Sequence, residues 1–247
     1  MSFFAQVAGV YRDTKKPRDI VWNRFVARPL AAVLLVPLAK TSVTPNQVTL
    51  FSLVVFLGAM VMLALGHGRG DLIGAVAILE LSYVLDCMDG QLARLKHQVS
   101  PAGAHLDFLM DELKAFLLVA AVGIRMWQSD GHEFWLIEAL LGLVVVAGAI
   151  SLTTFMRRPE YLVAVGAPPP RSAGDYGDGL APDEPAPRRA PLALVEDLGR
   201  FLIHYPSYLL LIAITDQLDL FLHVYLLTNA AYAGRSLLTV AFKLGRR

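Results

Sequence analysis

The chain has 247 residues, 55% hydrophobic and 17% charged, with a mean hydropathy of +0.52 and a formal net charge of +1. That charge fraction is far below the roughly 25% of ordinary soluble domains, which points away from a water-soluble globular fold. Cys87 is the one cysteine, so an intrachain disulfide is excluded.

The N-terminus, MSFFAQVAGVYRDTKKPRD, has neither a long apolar core nor a cleavage site, and no signal peptide is expected. Pro29–Ala39 is apolar but short, and with the basic stretch before it reads as a helix lying at the membrane interface. Six longer runs then approach the roughly 20 residues needed to cross a bilayer. They are Val48–Gly66, Leu72–Arg94, Ala104–Trp127, Phe134–Met156, Phe201–Thr215 and Leu220–Phe242, of which the fifth is the shortest. The expected fold class is therefore all-α, a polytopic membrane protein of six transmembrane helices preceded by an N-terminal interfacial helix.

Charge orients these spans. With the N-terminus in the cytoplasm, all Lys and Arg residues except Arg69, Arg125, Lys114 and Arg235 fall in cytoplasmic segments. Such a bias is the positive-inside pattern, and both termini are expected in the cytoplasm. Pro159 to Gly199 holds more than half of the chain's 14 prolines and both signs of charge, so it reads as a flexible cytoplasmic loop. The organisation expected is an N-terminal cytoplasmic and interfacial segment (1–47), one membrane catalytic domain (48–242) containing a loop at about 159–199, and a basic tail (243–247).

One feature resists an apolar reading. Between Asp86 and Asp111 the chain reads DCMDGQLARLKHQVSPAGAHLDFLMD, with four aspartates at membrane depth. A carboxylate there costs several kcal/mol unless a partner offsets it. Asp86, Asp89, Gly90, Ala93 and Arg94 share one face of the second span, and Gly103, Asp107 and Asp111 share one face of the third. Ser100-Pro101 between them reads as a turn and a helix start, which makes the two spans antiparallel neighbours with converging carboxylate faces. Converging carboxylates repel unless cations neutralise them. Oxygen-only ligands favour Mg²⁺ or Mn²⁺, and two such ions about 3.5–4 Å apart would polarise phosphoryl oxygens. Gly90 and Gly103 would let a ligand approach the backbone, and Arg94 offers a planar fork for phosphate. Arg157, Arg158 and Arg235 are candidates for binding a phosphate on a second substrate, against structural readings as an ion pair or as membrane anchors. Lys114 is expected to make a local salt bridge rather than to touch substrate.

The string Asp86-x2-Asp89-Gly90-x2-Ala93-Arg94-x8-Gly103-x3-Asp107-x3-Asp111 resembles the signature of the CDP-alcohol phosphotransferases (CDP-alcohol phosphatidyltransferases) at every fixed position. The resemblance extends to the Thr44-Pro45-Asn46-Gln47-Val48-Thr49 entry to the first span. It implies metals held by Asp86, Asp89, Asp107 and Asp111, and a CDP-linked donor bound near Asp86, Gly90, Ala93, Arg94 and Gly103. Asp111 would be the base for the acceptor hydroxyl, and CMP would be released, in phospholipid biosynthesis. The expected donor is CDP-diacylglycerol, with a soluble CDP-alcohol such as a CDP-inositol type as the alternative. The acceptor is a small alcohol or phosphorylated alcohol. Trp22-Asn23-Arg24 through Arg28-Pro29 is more similar to the branch of inositol-phosphate-using enzymes, while Glu112-Leu113-Lys114 departs from several branches. No nucleic acid is expected as a partner, and family members often pair as homodimers. From another class, a divalent-metal transporter would want acidic residues reaching both faces, and a catalytically silent paralogue would not need an intact motif.

Overall fold

The computed structural model describes residues 2–16, 19–167 and 198–245, and among these the chain is all-helical, with no strand. Helix α1 (Phe3–Thr14) is followed by a π-helical turn at Asn23–Ala27 and α2 (Arg28–Leu38). Four long helices come next: α3 (Pro45–Leu65), α4 (Arg69–Leu95), α5 (Pro101–Asp130) and α6 (Phe134–Met156). A short α7 (Pro159–Val165), a short α8 (Leu209–Thr215) and a long α9 (Leu218–Leu244) complete the order. Most of the expected proline-rich loop, residues 168–197, lies outside the described residues, and its first part is helix α7.

The helix ends follow from local chemistry. At the start of α3, Thr44 and Gln47 cap each other: the Gln47 N–H donates to Thr44 Oγ1 at 3.3 Å and the Thr44 N–H to Gln47 Oε1 at 2.9 Å. Ser100 caps α5 by accepting the Gly103 N–H at 3.0 Å, with Pro101 in the first position where its missing N–H costs nothing. Gly131 ends α5 at φ 75°, a conformation open to glycine without steric cost.

The expected fifth span, Phe201–Thr215, is not one helix. Residues 198–203 are helical, Tyr205–Ser207 forms a 3₁₀ turn, and α8 holds only seven residues. Pro206 lacks an N–H and disfavours helical backbone at Tyr205, so an apolar run that hydropathy reads as continuous is interrupted. Five helices of 21 to 30 residues and this broken element stand where six continuous spans were expected. Of the five, α3 and α6 are long and apolar enough to cross a membrane by composition alone, with mean hydropathies of 2.6 and 2.2.

Helix α3 packs along both α4 and α5, α5 packs on α6, and α6 on α9. Phe56, Leu63, Leu72, Leu79, Leu118, Val122 and Phe221 interlock in that core. The segment expected to lie at the interface is only half exposed. Ala31 and Leu35 of α2 bury against Val48 of α3 and Leu85, Met88 and Leu92 of α4, while Leu30, Val33 and Leu34 face outward. Helix α1 in turn rests on α2 and α4. The consequence for function is positional: the N-terminal segment is fastened to the helix that carries Asp86 and Asp89.

Candidate active site

Because α4 and α5 both pack on α3, they meet over its surface through their carboxylate faces. Ligand oxygens of Asp86, Asp89 and Asp107 all lie within 4.8 Å of one another. Asp89 is buried, whereas Asp86 and Asp107 are half-buried. The i, i+3 spacing on α4 and the capped start of α5 bring these three together, as the sequence pattern predicts.

Asp111 stands apart from that trio. Its carboxylate is 58% exposed and its Oδ1 lies 4.0 Å from Lys114 Nζ, one turn further along α5. The remaining motif residues lie on the last turns of α4 and at the start of α5. Gly90 lies one turn before Arg94, and a Cβ there would come within 3.6 Å of Arg94 Nη1, in ordinary contact. Arg94 itself donates from Nε to the Thr14 carbonyl at 2.8 Å, which ties the end of α1 to the motif helix. Ala93 is half-buried on the last turn of α4. A Cβ at Gly103 would meet Ser100 Oγ at 3.2 Å and Asn46 Oδ1 at 3.3 Å, so the starts of α3 and α5 lie close together here.

Three further residues complete this site, of which Thr49 and Ser52 carry no site role in the sequence analysis. Lys114, 4% exposed, forms an ion pair with Asp86 and donates to Ser52 Oγ at 3.1 Å. Thr49 donates its hydroxyl to the Asp89 carboxylate. Ser52 donates to the Thr49 carbonyl at 2.8 Å and lies 3.3 Å from Asp86 Oδ1. Helix α3 thus presents a hydroxyl face, Thr49 and Ser52 at i and i+3, to the carboxylates of α4. The available signal was that spacing in an otherwise apolar span, together with the i, i+3 spacing of Asp111 and Lys114. The salt bridge expected for Lys114 is present, but it lies inside the acidic cluster.

The expected second-substrate arginines separate. Arg157, at the end of α6, places its guanidinium 4.6 Å from the centroid of the Phe108 ring, next to Asp107 on α5. Thr154, one turn earlier, donates to Glu112 Oε1 at 3.3 Å, so the end of α6 is anchored beside the Asp111 turn. Arg158, the following residue, is exposed. Arg235 is exposed on α9.

A hard, all-oxygen donor set of three close carboxylates fits a divalent cation such as Mg²⁺ or Mn²⁺. Lys114 pairs with one of the three close carboxylates and leaves the trio net negative, which favours the same ligand.

The sequence family model for CDP-alcohol phosphatidyltransferases matches residues 42–174, which spans α3 through α6 and every motif residue. The chain belongs to this family. Among similar curated proteins is the Bifunctional IPC transferase and DIPP synthase of Aquifex aeolicus, 25% identical over 130 residues, covering 51% of this chain and 29% of that protein. The protein of the same name from Rubrobacter xylanophilus is 29% identical over 137 residues, covering 56% and 28%. The Phosphatidylinositol phosphate synthase of Corynebacterium glutamicum is 32% identical over 138 residues, covering 56% and 57%. The chain thus spans from under a third to just over half of the length of these relatives.

Proposed function

We propose that the protein transfers a substituted phosphate from a CDP-linked donor to the hydroxyl of an alcohol acceptor, with release of CMP, and that it does so in a membrane as a step of phospholipid synthesis. The observation that carries this reading is the convergence of Asp86, Asp89 and Asp107 within 4.8 Å, inside the matched family segment. We take CDP-diacylglycerol as the donor, and the relative named a phosphatidylinositol phosphate synthase supports a lipid product. A soluble CDP-alcohol donor is the second reading, favoured by the two relatives named IPC transferase and DIPP synthase.

In this reading Asp86, Asp89 and Asp107 hold the Mg²⁺ or Mn²⁺, and the pair of ions implied by the family resemblance would draw on Asp111 as well. Such an ion, when bound, polarises phosphoryl oxygens and offsets their charge. The chain's own groups do the rest. Lys114 and Ser52 fix the orientation of Asp86, and Thr49 fixes that of Asp89. Gly90 leaves room beside the Arg94 guanidinium, whose fork suits the donor's pyrophosphate. Asp111, exposed and outside the close trio, takes the proton from the acceptor hydroxyl. The acceptor oxygen forms a bond to the phosphorus distal to cytidine, and the bond from that phosphorus to the CMP oxygen breaks. Arg157, stacked on Phe108, is the best placed of the arginines to bind a phosphate on the acceptor, and the exposed Arg158 and Arg235 are the other candidates.

The same reading places the long helices across the bilayer with both termini and the aspartates on the cytoplasmic side, and allows a homodimer through the outer helix faces. The test is release of CMP from CDP-diacylglycerol in Mg²⁺, screened against a panel of alcohols and phosphorylated alcohols. Turnover by Asp89→Asn equal to wild type would overturn the assignment.

A further inference from the structure

We infer that the N-terminal segment forms a separate binding site for a phosphate group, beside the carboxylate cluster and distinct from it. A cavity of about 130 Å³ opens between the end of α1 and the turn that precedes α2, lined by Tyr11, Lys15, Lys16, Asp19 and Arg24. At roughly 30 Å³ per water this holds about four waters, a fair match to a phosphate with its oxygens.

The charge of the lining is more one-sided than the residue list suggests. Among the described residues Asp19 is its only carboxylate, and it is already engaged. Its Oδ1 accepts the Ile20 N–H at 3.0 Å and Asn23 Nδ2 at 3.1 Å, and its other oxygen pairs with Arg28. Both members of that ion pair are under 10% exposed, so Asp19 is spoken for by a buried partner behind the cavity. Lys15 and Arg24 therefore lead its field, with Lys16 alongside. A lysine supplies a compact charge and the arginine a planar fork, a combination suited to phosphate oxygens.

The site is also held in shape. Tyr11 donates its hydroxyl to the Arg24 carbonyl at 2.9 Å, clamping α1 to the turn across the cavity. Preorganisation of this kind lowers the ordering cost of binding. Around the basic residues, Ile20, Val21 and Phe25 are exposed, an apolar rim of the kind that rests in lipid at a membrane interface. Finally, the cavity borders the reaction site. Lys16 is close enough to Asp111 for their charges to interact, and Thr14, two residues before it, accepts from Arg94. A phosphate bound here would sit at the edge of the aspartate cluster, held by residues that lie outside the family-matched segment.

The chemistry is that of a phosphate group carried either by a lipid or by a soluble molecule, and the experiment separates the two. The purified full chain in detergent is titrated with inorganic phosphate at constant ionic strength. In parallel it is titrated with mixed micelles containing phosphatidic acid, and with micelles of the matching diacylglycerol, which lacks phosphate. The readout is the rise in thermal midpoint with ligand concentration. A saturable rise with phosphate, with phosphatidic acid, or with both supports the site and names the source. The double variant Lys15→Gln/Arg24→Gln should need at least about tenfold more ligand for the same rise, since each charge-assisted contact is worth about that factor. Should the double variant melt well below wild type without ligand, Lys15→Gln alone is expected to give a smaller weakening in the same direction. Asp89→Asn should keep the response, which separates failure of this site from failure of the proposed reaction. The inference is overturned if no phosphate-bearing probe gives a saturable rise, if diacylglycerol matches phosphatidic acid, or if the variant's titration overlays that of wild type.

Discussion

Lys114 offers the sharpest test of how the acidic cluster is held. Its ammonium is 4% exposed, paired with an Asp86 carboxylate whose side chain is 12% exposed, and 4.0 Å from Asp111. Lys114→Met keeps the length and apolar stem but removes the charge, so Asp86 is left with the Ser52 hydroxyl alone. Breaking a buried pair from one side costs about 3–5 kcal/mol, and the residual exposure of Asp86 puts the expected value near the lower end, about 3 kcal/mol. For a chain of this size that corresponds to a fall in thermal midpoint of about 6–12 °C. The measurement is thermal unfolding in detergent with a chelator present, where Lys114 is the nearest compensating charge. Lys114→Met/Asp86→Asn should recover much of the loss, because the charge left without its partner goes with it. A single variant as stable as wild type in chelator, or a double variant in which the two losses simply add, would refute the claim that Lys114 neutralises Asp86.

Thr49→Val removes the hydroxyl that Asp89 accepts while keeping shape, and is expected to cost about 1–3 kcal/mol in the same unfolding assay, together with a loss of CMP release. Gly90→Ala should fold as wild type, since its Cβ meets the Arg94 guanidinium only at contact distance, yet weaken CMP binding measured by thermal shift in Mg²⁺. Gly123→Ala is the converse: its Cβ would lie 2.3 Å from the Ala139 Cβ, forcing α5 from α6 at a cost of about 1–3 kcal/mol in stability. Asp71, in the first turn of α4, accepts the Gly68 and His67 N–H groups, which hold its carboxyl below the usual 3.8. A folded-state value below the unfolded one adds stability above 3.8 that is lost as pH falls through the folded value. The difference in midpoint between wild type and Asp71→Asn should therefore be present near neutral pH and shrink steadily in acid.

Much of the site was legible because its residues recur at helical spacing on two consecutive elements. Asp86 and Asp89 face one way on α4, Asp107 faces back from α5, and Ser100-Pro101 starts α5 where the pattern requires. The lysine was harder to read. Its spacing from Asp111 suggests a bond along α5, whereas its closest partner is Asp86 on α4, a contact that exists only once both helices lie on α3. Thr49 and Ser52 hide for the same reason, since a hydroxyl in an apolar span can bond its own backbone and carries no sign of a distant carboxylate. The broken fifth element shows the limit of hydropathy, which counts apolar residues and does not register one proline that removes a backbone donor.

The break at Tyr205–Ser207 is also what joins the N-terminal segment to the core. His204 Nε2 and Asn23 Oδ1 both lie 2.6 Å from the Tyr83 hydroxyl, and His204 Nδ1 lies 2.5 Å from Ser207 Oγ. Asn23 in turn donates to Asp19, the carboxylate at the back of the basic cavity. His204, at the start of the break, thus reaches the Tyr83 hydroxyl with one ring nitrogen and Ser207 with the other. The interruption therefore supplies one polar partner, and Asn23 the other, to a half-buried tyrosine three residues before Asp86 on the motif helix. The same chain of bonds fixes the turn that carries Arg24. The aspartate cluster and the N-terminal cavity are in this way built on one polar scaffold, and Tyr83→Phe should loosen the turn at Asn23 while leaving the Asp86–Lys114 pair in place.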